Sequence, residues 1–181
     1  NSVDRYENMF SQLNHKNVGA FVPFVMVGDP DIQSSVEIIK ALVAGGLPAI
    51  EITMRTSAAL ESIARVAAEV PEALVGAGTI LNAKNWDQAV AAGSKFIVSP
   101  GLTPELAAAA DGHDVPLLPG SVTSSEIMKA MELGYTHLTF FPAEQAGGSS
   151  YLKSCSSVFG GVKFCPTGGI SVKNANDYLS L

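Results

Sequence analysis

The sequence predicts an α/β protein of the (β/α)8 TIM barrel class, with the eighth βα unit missing from the chain. Seven short apolar segments start near residues 20, 49, 73, 95, 115, 137 and 162. The starts lie roughly 20 to 29 residues apart, close to the length that one strand, one helix and two short loops need. The alternative, an open doubly wound sheet, normally carries a GxGxxG turn after its first strand, and this chain has none there.

The strands are predicted from apolar runs that are almost continuous, as expected for parallel strands covered on both faces. The runs are 22–25, 50–53, 74–77, 96–99, 117–119 and 164–166, and a further strand starts at His137.

Amphipathic segments predict the helices between these strands. They are 32–44, 57–70, 83–92, 104–110, 124–133 and 172–181, with an additional helix at 6–13 before the first strand. Ser124 is predicted as an N-cap, and Gly45, Gly93 and Gly134 are predicted to end three of the helices.

Composition predicts a single domain over residues 1–181, since 47% of the residues are apolar and can form one sizeable core.

The net charge of −6 leaves no basic surface for nucleic acid. No apolar run reaches the roughly 18 residues of a membrane span, and the polar start is unlike a signal peptide. Cys155 and Cys165 lack a CxxC spacing, which fits a reducing compartment. We therefore expect a soluble, cytoplasmic protein with no nucleic-acid or membrane partner.

Two charged residues near the end of the second strand are the first candidates for chemistry. Glu51 lies inside an apolar strand, where a carboxylate must be paired or functional because an isolated buried charge is costly. Arg55 follows it, and a guanidinium suits bidentate binding of a substrate carboxylate. The alternatives are a structural ion pair between the two and an ordinary surface arginine.

Polar residues and glycines at the ends of two other strands are the next candidates. Thr79 ends the third strand and Thr167 the seventh, so either hydroxyl could bind a ligand. Gly168 and Gly169 would let backbone N–H groups approach a phosphate, although a tight turn alone also needs glycine.

Other reactive residue types are interpreted as structural. Glu144 and Cys165 are expected to be structural, the latter as an inert buried thiol. His15, His113 and His137 lie in unrelated segments, so we expect no metal site.

From residue 41 onward the chain resembles the class I aldolases that cleave 2-keto-3-deoxy-6-phosphogluconate and 4-hydroxy-2-oxoglutarate. The motifs include Glu-Ile-Thr-Met-Arg-Thr at 51–56, Phe-Phe-Pro-Ala-Glu at 140–144 and Pro-Thr-Gly-Gly at 166–169, with others at 41–46, 75–79, 99–101 and 119–120. Residues 4–40 instead resemble the start of the tryptophan synthase alpha chain, another barrel. The single domain therefore divides, by resemblance, into a first unit at 1–40 and aldolase-like units at 41–181, as in a chimera.

The aldolase resemblance implies roles for individual residues. Glu51 matches the family's proton-shuttling glutamate, whereas the position of the Schiff-base lysine is Thr139, whose hydroxyl cannot form an iminium. The resemblance places Arg55, Thr79 and Thr167 at the substrate's carboxylate and hydroxyls, Pro100 and Phe141 at the pocket lining, and Gly168 and Gly169 at its phosphate. It also implies a keto acid or sugar acid phosphate as substrate, no cofactor, and a homotrimer.

Three functional alternatives remain open from the sequence. The first is an aldolase-type lyase that releases pyruvate and an aldehyde, with Glu51 as acid/base. The second is a catalytically silent or chimeric barrel that keeps only the fold and weak anion binding, because of Thr139. The third, an alpha-chain-like indole lyase, is disfavoured because no Ser-Asp-Pro run follows Glu51. Burial should raise the pKa of Glu51, with Arg55 opposing the shift.

Overall fold

The computed structural model describes residue 11, residues 21–28 and residues 31–181. Within these residues, seven parallel strands form one sheet in the order β1-β2-β3-β4-β5-β6-β7. The strands are β1 Phe24–Val25, β2 Ala49–Thr53, β3 Leu74–Gly78, β4 Ile97–Ser99, β5 Leu117–Ser121, β6 His137–Phe140 and β7 Lys163–Pro166. The predicted number and order of strands is confirmed. The predicted helix at 6–13 lies outside the described residues, apart from residue 11.

Within residues 21–28 and 31–181, seven helices connect and follow the strands. They are α1 Ile32–Ala44, α2 Ala59–Glu69, α3 Ala83–Ala91, α4 Pro104–Ala110, α5 Ser124–Glu132, α6 Gly148–Val158 and α7 Ala175–Leu179. Six match the predicted helices to within three residues at either end. The sequence did not predict α6, whose five serines and one glycine are weak helix formers. Packing stabilises α6 instead, because Leu152 and Cys155 are buried and the Tyr151 ring stacks on Phe140 with 5.8 Å between centroids.

The helix ends follow the expected capping chemistry, with one correction. The N-cap of α5 is Thr123 and not Ser124, which is the first helical residue. Thr123 accepts a hydrogen bond from the Glu126 N–H, and the Glu126 carboxylate accepts one from the Thr123 N–H at 2.8 Å, which forms a capping box. Gly93 and Gly134 follow α3 and α5 with φ of 101° and 87°, the left-handed conformation that ends helices.

The two faces of the sheet carry different residues. Ile50 and Ile52 of β2 pack with α1 and α2 in the main core. Successive residues of a strand point to opposite faces, so Ala49, Glu51 and Thr53 lie on the other, inner face. Ala49 packs there with Leu74 of β3 and with Phe96, which directly precedes β4. This places Glu51 in the interior of the curled sheet.

The end strands are less covered than the apolar runs predicted. β7 alternates between exposed and half-buried residues, and Phe24 of β1 is 54% exposed. Each has a neighbour on one side only, and no pairing joins β7 to β1 among the described residues. The described part of the chain therefore forms a seven-stranded curled sheet and not a closed eight-stranded barrel. No helix in this part is long and apolar enough to span a membrane.

Candidate active site

Glu51 is the central residue of β2 and lies opposite Phe24 of β1 and Gly76 of β3. Its side chain leans toward the carboxyl end of the sheet, because a β-carbon placed on Gly78 would overlap Oε1 of Glu51 and lie 2.6 Å from its Cδ. The carboxylate therefore rests directly on the Gly78 backbone, at the edge where parallel sheets carry their reacting groups.

The electrostatic environment of Glu51 favours proton exchange near neutral pH. Burial raises the pKa of Glu51 to about 7, while the charge of Arg55 lowers it, so the expected direction is confirmed. The alternative of a Glu51–Arg55 ion pair is wrong, since the ion pairs among the described residues join Lys40 to Glu37, Arg65 to Glu69, and Lys129 to Glu132. A carboxyl group with this pKa can both accept and return a proton at pH 7.

Thr79 follows β3 directly and has a left-handed backbone, with φ of 60°. This conformation is unfavourable for a β-branched residue and is concentrated at functional sites. The neighbouring residues hold it in place, because the Met54 N–H donates to the Gly78 carbonyl at 2.9 Å and the Ile80 N–H donates to the Val98 carbonyl at 3.2 Å.

Replacing Thr79 by glycine should stabilise the fold. Glycine adopts positive φ without a steric cost, so we expect the free energy of unfolding to rise by about 1 kcal/mol. Urea unfolding measures this change. Thr103→Gly is the control, because Thr103 has φ of −96° and caps α4, so the same substitution should lower stability there. A stability of Thr79→Gly below that of the parent chain would contradict the assignment of strain.

Thr139 lies on the inner face of β6, since the adjacent Leu138 and Phe140 both pack outward against helices. It is 3% exposed and lies between Gly120 of β5 and Cys165 of β7 in register. A β-carbon on Gly120 would overlap the Pro100 carbonyl. The Pro100 carbonyl therefore packs beside the layer that contains Thr139, and its role in lining a pocket stays a prediction.

The segment after β7 is fixed by the segment after β6. The Ala143 N–H donates to the Thr167 carbonyl at 2.8 Å, and the Glu144 N–H donates to the Gly168 carbonyl at 3.2 Å. Cδ2 of Phe141 lies 3.4 Å from the position of a β-carbon on Gly168. Phe141, Thr167 and Gly168 are thus brought together at the carboxyl edge of the sheet.

Glu144 supports this segment from the side of the helices, in agreement with its expected structural role. Tyr178 of α7 donates a short hydrogen bond to the Glu144 carboxylate, and burial followed by this bond raises the pKa of Tyr178 to about 12. A β-carbon on Gly169 would lie 2.7 Å from Cγ of Glu144. The Glu144 side chain therefore packs against Gly169, and Tyr178 holds it there.

The site residues form two groups across the interior of the sheet. Glu51, Arg55 and Thr79 lie on or directly after β2 and β3, and the others lie on or after β4, β6 and β7. The two sides act on each other electrostatically: desolvation of the thiol and then the charge of Glu51 raise the pKa of Cys165. The expectation that Cys165 is buried is wrong for the residue as a whole, which is exposed on the edge strand β7.

Sequence reasoning missed two residues beside Glu51, namely Thr53 and Gly78. Thr53 is two positions after Glu51 on the same face and is opposite Gly78 in register. It is 2% exposed, and its hydroxyl has no hydrogen-bond partner within the described chain. Two signals could have identified them. The period of two residues along a strand places Thr53 on the same face as Glu51, and a glycine inside a strand, such as Gly78, is a sign of close approach.

The variant Thr53→Val should keep or increase stability. A buried hydroxyl without a partner costs about 1–3 kcal/mol relative to a paired one, and valine has nearly the same shape. We expect the free energy of unfolding to rise by up to about 2 kcal/mol, measured by urea unfolding. Thr123→Val is the matched control, because its hydroxyl caps α5 and its loss should destabilise. A destabilised Thr53→Val protein would mean that the hydroxyl has a partner in solution.

The described residues contain no cluster of three or more His, Cys, Asp or Glu side chains that could hold a metal ion. The site holds a carboxyl group with a raised pKa, a guanidinium nearby, hydroxyls and a glycine turn. A curled parallel sheet with such groups at its carboxyl edge is typical of the β/α enzymes whose active sites lie at the carboxyl ends of the strands.

Comparison with known proteins specifies the family. The family model for KDPG and KHG aldolases, where KDPG is 2-keto-3-deoxy-6-phosphogluconate, matches residues 14–181. The 2-dehydro-3-deoxy-phosphogluconate aldolase of Pseudoalteromonas atlantica is 43% identical over 175 residues, covering 97% of this chain and 78% of that protein. The corresponding Zymomonas mobilis enzyme is 51% identical over 149 residues, or 82% of this chain and 71% of that protein.

Solved structures agree with these relatives. The crystal structure of the Zymomonas mobilis aldolase superposes with a TM-score of 0.83 at 47% identity, covering 90% of this chain and 77% of that one. A crystal structure of Legionella pneumophila KDPG aldolase, with pyruvate captured at low pH as a covalent carbinolamine intermediate, gives 0.84 at 39% identity over 91% of this chain and 80% of that one. The chain belongs to the KDPG and KHG aldolase family.

The family match also bears on the beginning of the chain. The matched region starts at residue 14, so it includes most of the segment 4–40 that resembles the tryptophan synthase alpha chain. That second resemblance, and the division at residue 40, stay predictions.

Proposed function

We propose that the chain is an aldolase-type lyase that cleaves 2-keto-3-deoxy-6-phosphogluconate, or 4-hydroxy-2-oxoglutarate, to pyruvate and an aldehyde. The observation that carries the proposal is Glu51: a carboxyl group without an ion-pair partner in the described chain, with a pKa of about 7, in a family whose relatives are named for this reaction.

The role of Glu51 follows from the chemistry of a 2-keto-4-hydroxy acid. A base removes the proton of the C4 hydroxyl, the C3–C4 bond breaks, and its electron pair moves toward the ketone at C2. The aldehyde leaves, and the proton returns to C3 to give pyruvate. Glu51 accepts the first proton as the carboxylate and returns it as the acid, which requires a pKa near the working pH.

The other site residues are proposed to bind the substrate. Arg55 suits the carboxylate, and the hydroxyls of Thr79 and Thr167 suit the hydroxyls of the substrate. Pro100 and Phe141 line the pocket, and the backbone N–H groups of Gly168 and Gly169 bind phosphate. The packing of Phe141 against Gly168 supports a continuous surface on this side of the site.

Thr139 favours the second candidate function, a catalytically silent barrel that retains the fold and anion binding. A hydroxyl cannot form the iminium that stabilises the electron pair released at C3. Without an amine, this pair must be accepted by the ketone oxygen alone, and cleavage should be slow.

One experiment separates the two candidates. The chain is incubated with 2-keto-3-deoxy-6-phosphogluconate, and pyruvate release is followed by NADH oxidation with added lactate dehydrogenase. Release that Glu51→Gln abolishes supports the lyase. Binding of pyruvate by NMR line broadening, without release, supports the silent barrel, and the absence of both contradicts both candidates.

The remaining expectations are proposals that rest on the resemblance. We propose a closed (β/α)8 barrel when an eighth unit or another subunit pairs with β7, a homotrimer, and a reducing, cytoplasmic location that keeps Cys155 and Cys165 as thiols. Sedimentation equilibrium tests the trimer, and a monomer at micromolar concentration would contradict it.

A further inference from the structure

The geometry assigns Gly78 as a positioning residue for the reaction: the space left by its missing side chain is the seat of the Glu51 carboxylate. This inference rests on the proposed acid/base role of Glu51, and it adds a second residue to that role. We define the seat as the space above the Cα of Gly78 on the inner face of the sheet.

Steric contact is the first support for the seat. A β-carbon on Gly78 would overlap Oε1 of Glu51, lie 2.6 Å from Cδ and 2.9 Å from Cγ. Real β-carbons essentially never approach other heavy atoms within 3.0 Å. All three of the nearest atoms belong to Glu51, so this side chain is the first obstacle that a side chain at position 78 would meet.

The position of the seat along the sheet is the second support. Glu51 is opposite Gly76 in register, and Gly78 is two residues further toward the carboxyl edge, opposite Thr53. By leaning over Gly78, the carboxylate lies nearer the carboxyl edge than the Cα of Glu51 itself. The seat therefore brings a group rooted in the middle of β2 to the edge where substrate is expected.

The rigidity of the Gly78 backbone is the third support. Its carbonyl accepts the Met54 N–H at 2.9 Å, and the next residue, Thr79, is held at φ of 60°. The seat cannot widen easily, because the strand is fixed on the side of β2 and the chain turns immediately afterwards. A side chain at position 78 would move Glu51 and leave the backbone in place.

The charged and titratable groups that act on Glu51 within the described structure are Arg55 and the Cys165 thiol. Neither lies on β3, so substitution of Gly78 changes no charge around Glu51. Any change in its titration then reports a change in position and burial.

A double-mutant cycle on stability tests the seat without reference to activity. Gly78→Ala in the chain with Glu51 should lower the melting temperature by about 2–12 °C, the scale expected for overpacking in a domain of this size. In the Glu51→Ala background the same substitution should lower it by less than about 2 °C. If Gly78→Ala does not fold alone, folding of Gly78→Ala/Glu51→Ala supports the proposal. Equal losses in both backgrounds, or failure of both variants to fold, would overturn it.

Gly76→Ala is the matched control. It is the same substitution on the same face of the same strand, but its β-carbon would overlap the ring of Phe96. Its effect on the melting temperature should therefore be the same in the parent chain and in the Glu51→Ala background. The melting-temperature loss caused by Gly76→Ala should not depend on the residue at position 51. If it depended on that residue as strongly as the loss caused by Gly78→Ala, the assignment to Gly78 would be overturned.

A titration distinguishes positioning from a general loss of packing. With 13C-labelled glutamate, the pKa of Glu51 in Gly78→Ala should fall from about 7 toward its ordinary value, because the carboxylate leaves its buried seat. An unchanged titration in a folded Gly78→Ala protein would overturn the proposal. If the chain proves inactive while the cycle and the titration give the expected results, the lyase function fails and the seat stands.

Discussion

The Thr139→Lys variant is expected to form a pyruvate adduct that borohydride traps at one equivalent per chain, whereas the chain with threonine forms none. Position 139 lies on the inner face of β6 and is 3% exposed. Burial lowers the pKa of a lysine and makes it nucleophilic at neutral pH. Pyruvate release should then rise on the order of 10³-fold or more, the scale on which loss of a nucleophile lowers kcat.

The measurement is intact mass after reduction, followed by peptide mapping to position 139. Thr136→Lys is the matched control, because it places the same new amine just before β6, at the exposed amino end of the strand. It should trap no more pyruvate than the parent chain. A stoichiometric adduct on the parent chain would contradict the proposed effect of Thr139, and a folded Thr139→Lys variant that traps no pyruvate would mean that the site is distorted.

The order of elements was predictable because it depends on local signals. The apolar runs of β2 to β5 are largely buried in the structure, and each run predicted its strand to within two residues, while β6 begins at the predicted residue, His137. Helix ends marked by glycine, such as those before Gly93 and Gly134, were equally clear because positive φ selects glycine. The helix α6 was missed because its packing against Phe140, and not its propensity, determines it.

The site was predictable only in part, for a similar reason. Glu51 was identified because a carboxylate in an apolar strand is costly unless it has a role. The partners of Glu51 depend on the register between strands, which no local pattern specifies. The pairing of β2 with β3 places Gly78 opposite Thr53, and it also allows the Glu51 carboxylate to cover Gly78. The left-handed Thr79 is likewise fixed by hydrogen bonds to both neighbouring strands.

The Glu51→Gln variant is expected to lose activity and to gain stability at alkaline pH. Loss of a general acid/base lowers the rate by about 10²- to 10⁴-fold, so any pyruvate release by the parent chain, or by Thr139→Lys, should fall by this factor. In the parent protein the rate should rise as pH increases through about 7, because the carboxylate is the form that accepts the proton. Glutamine should remove this rise.

The sign of the stability change follows from the raised pKa of Glu51, which moves from 4.5 to about 7 on folding. The protonated form favours the folded state, so the stabilising contribution is complete below pH 4.5 and is lost as pH rises to about 7. Above that pH the charged carboxylate costs on the order of 3 kcal/mol. Glu51→Gln and the parent should therefore unfold alike in urea at about pH 4.5, and the variant should be more stable at about pH 8.

The exposed glutamate Glu61 of α2 provides the control, since Glu61→Gln should leave the pH dependence unchanged. A parent protein whose stability does not fall between about pH 4.5 and 8 relative to Glu51→Gln would show that water or Arg55 stabilises the Glu51 carboxylate, and the acid/base role would lose its physical basis.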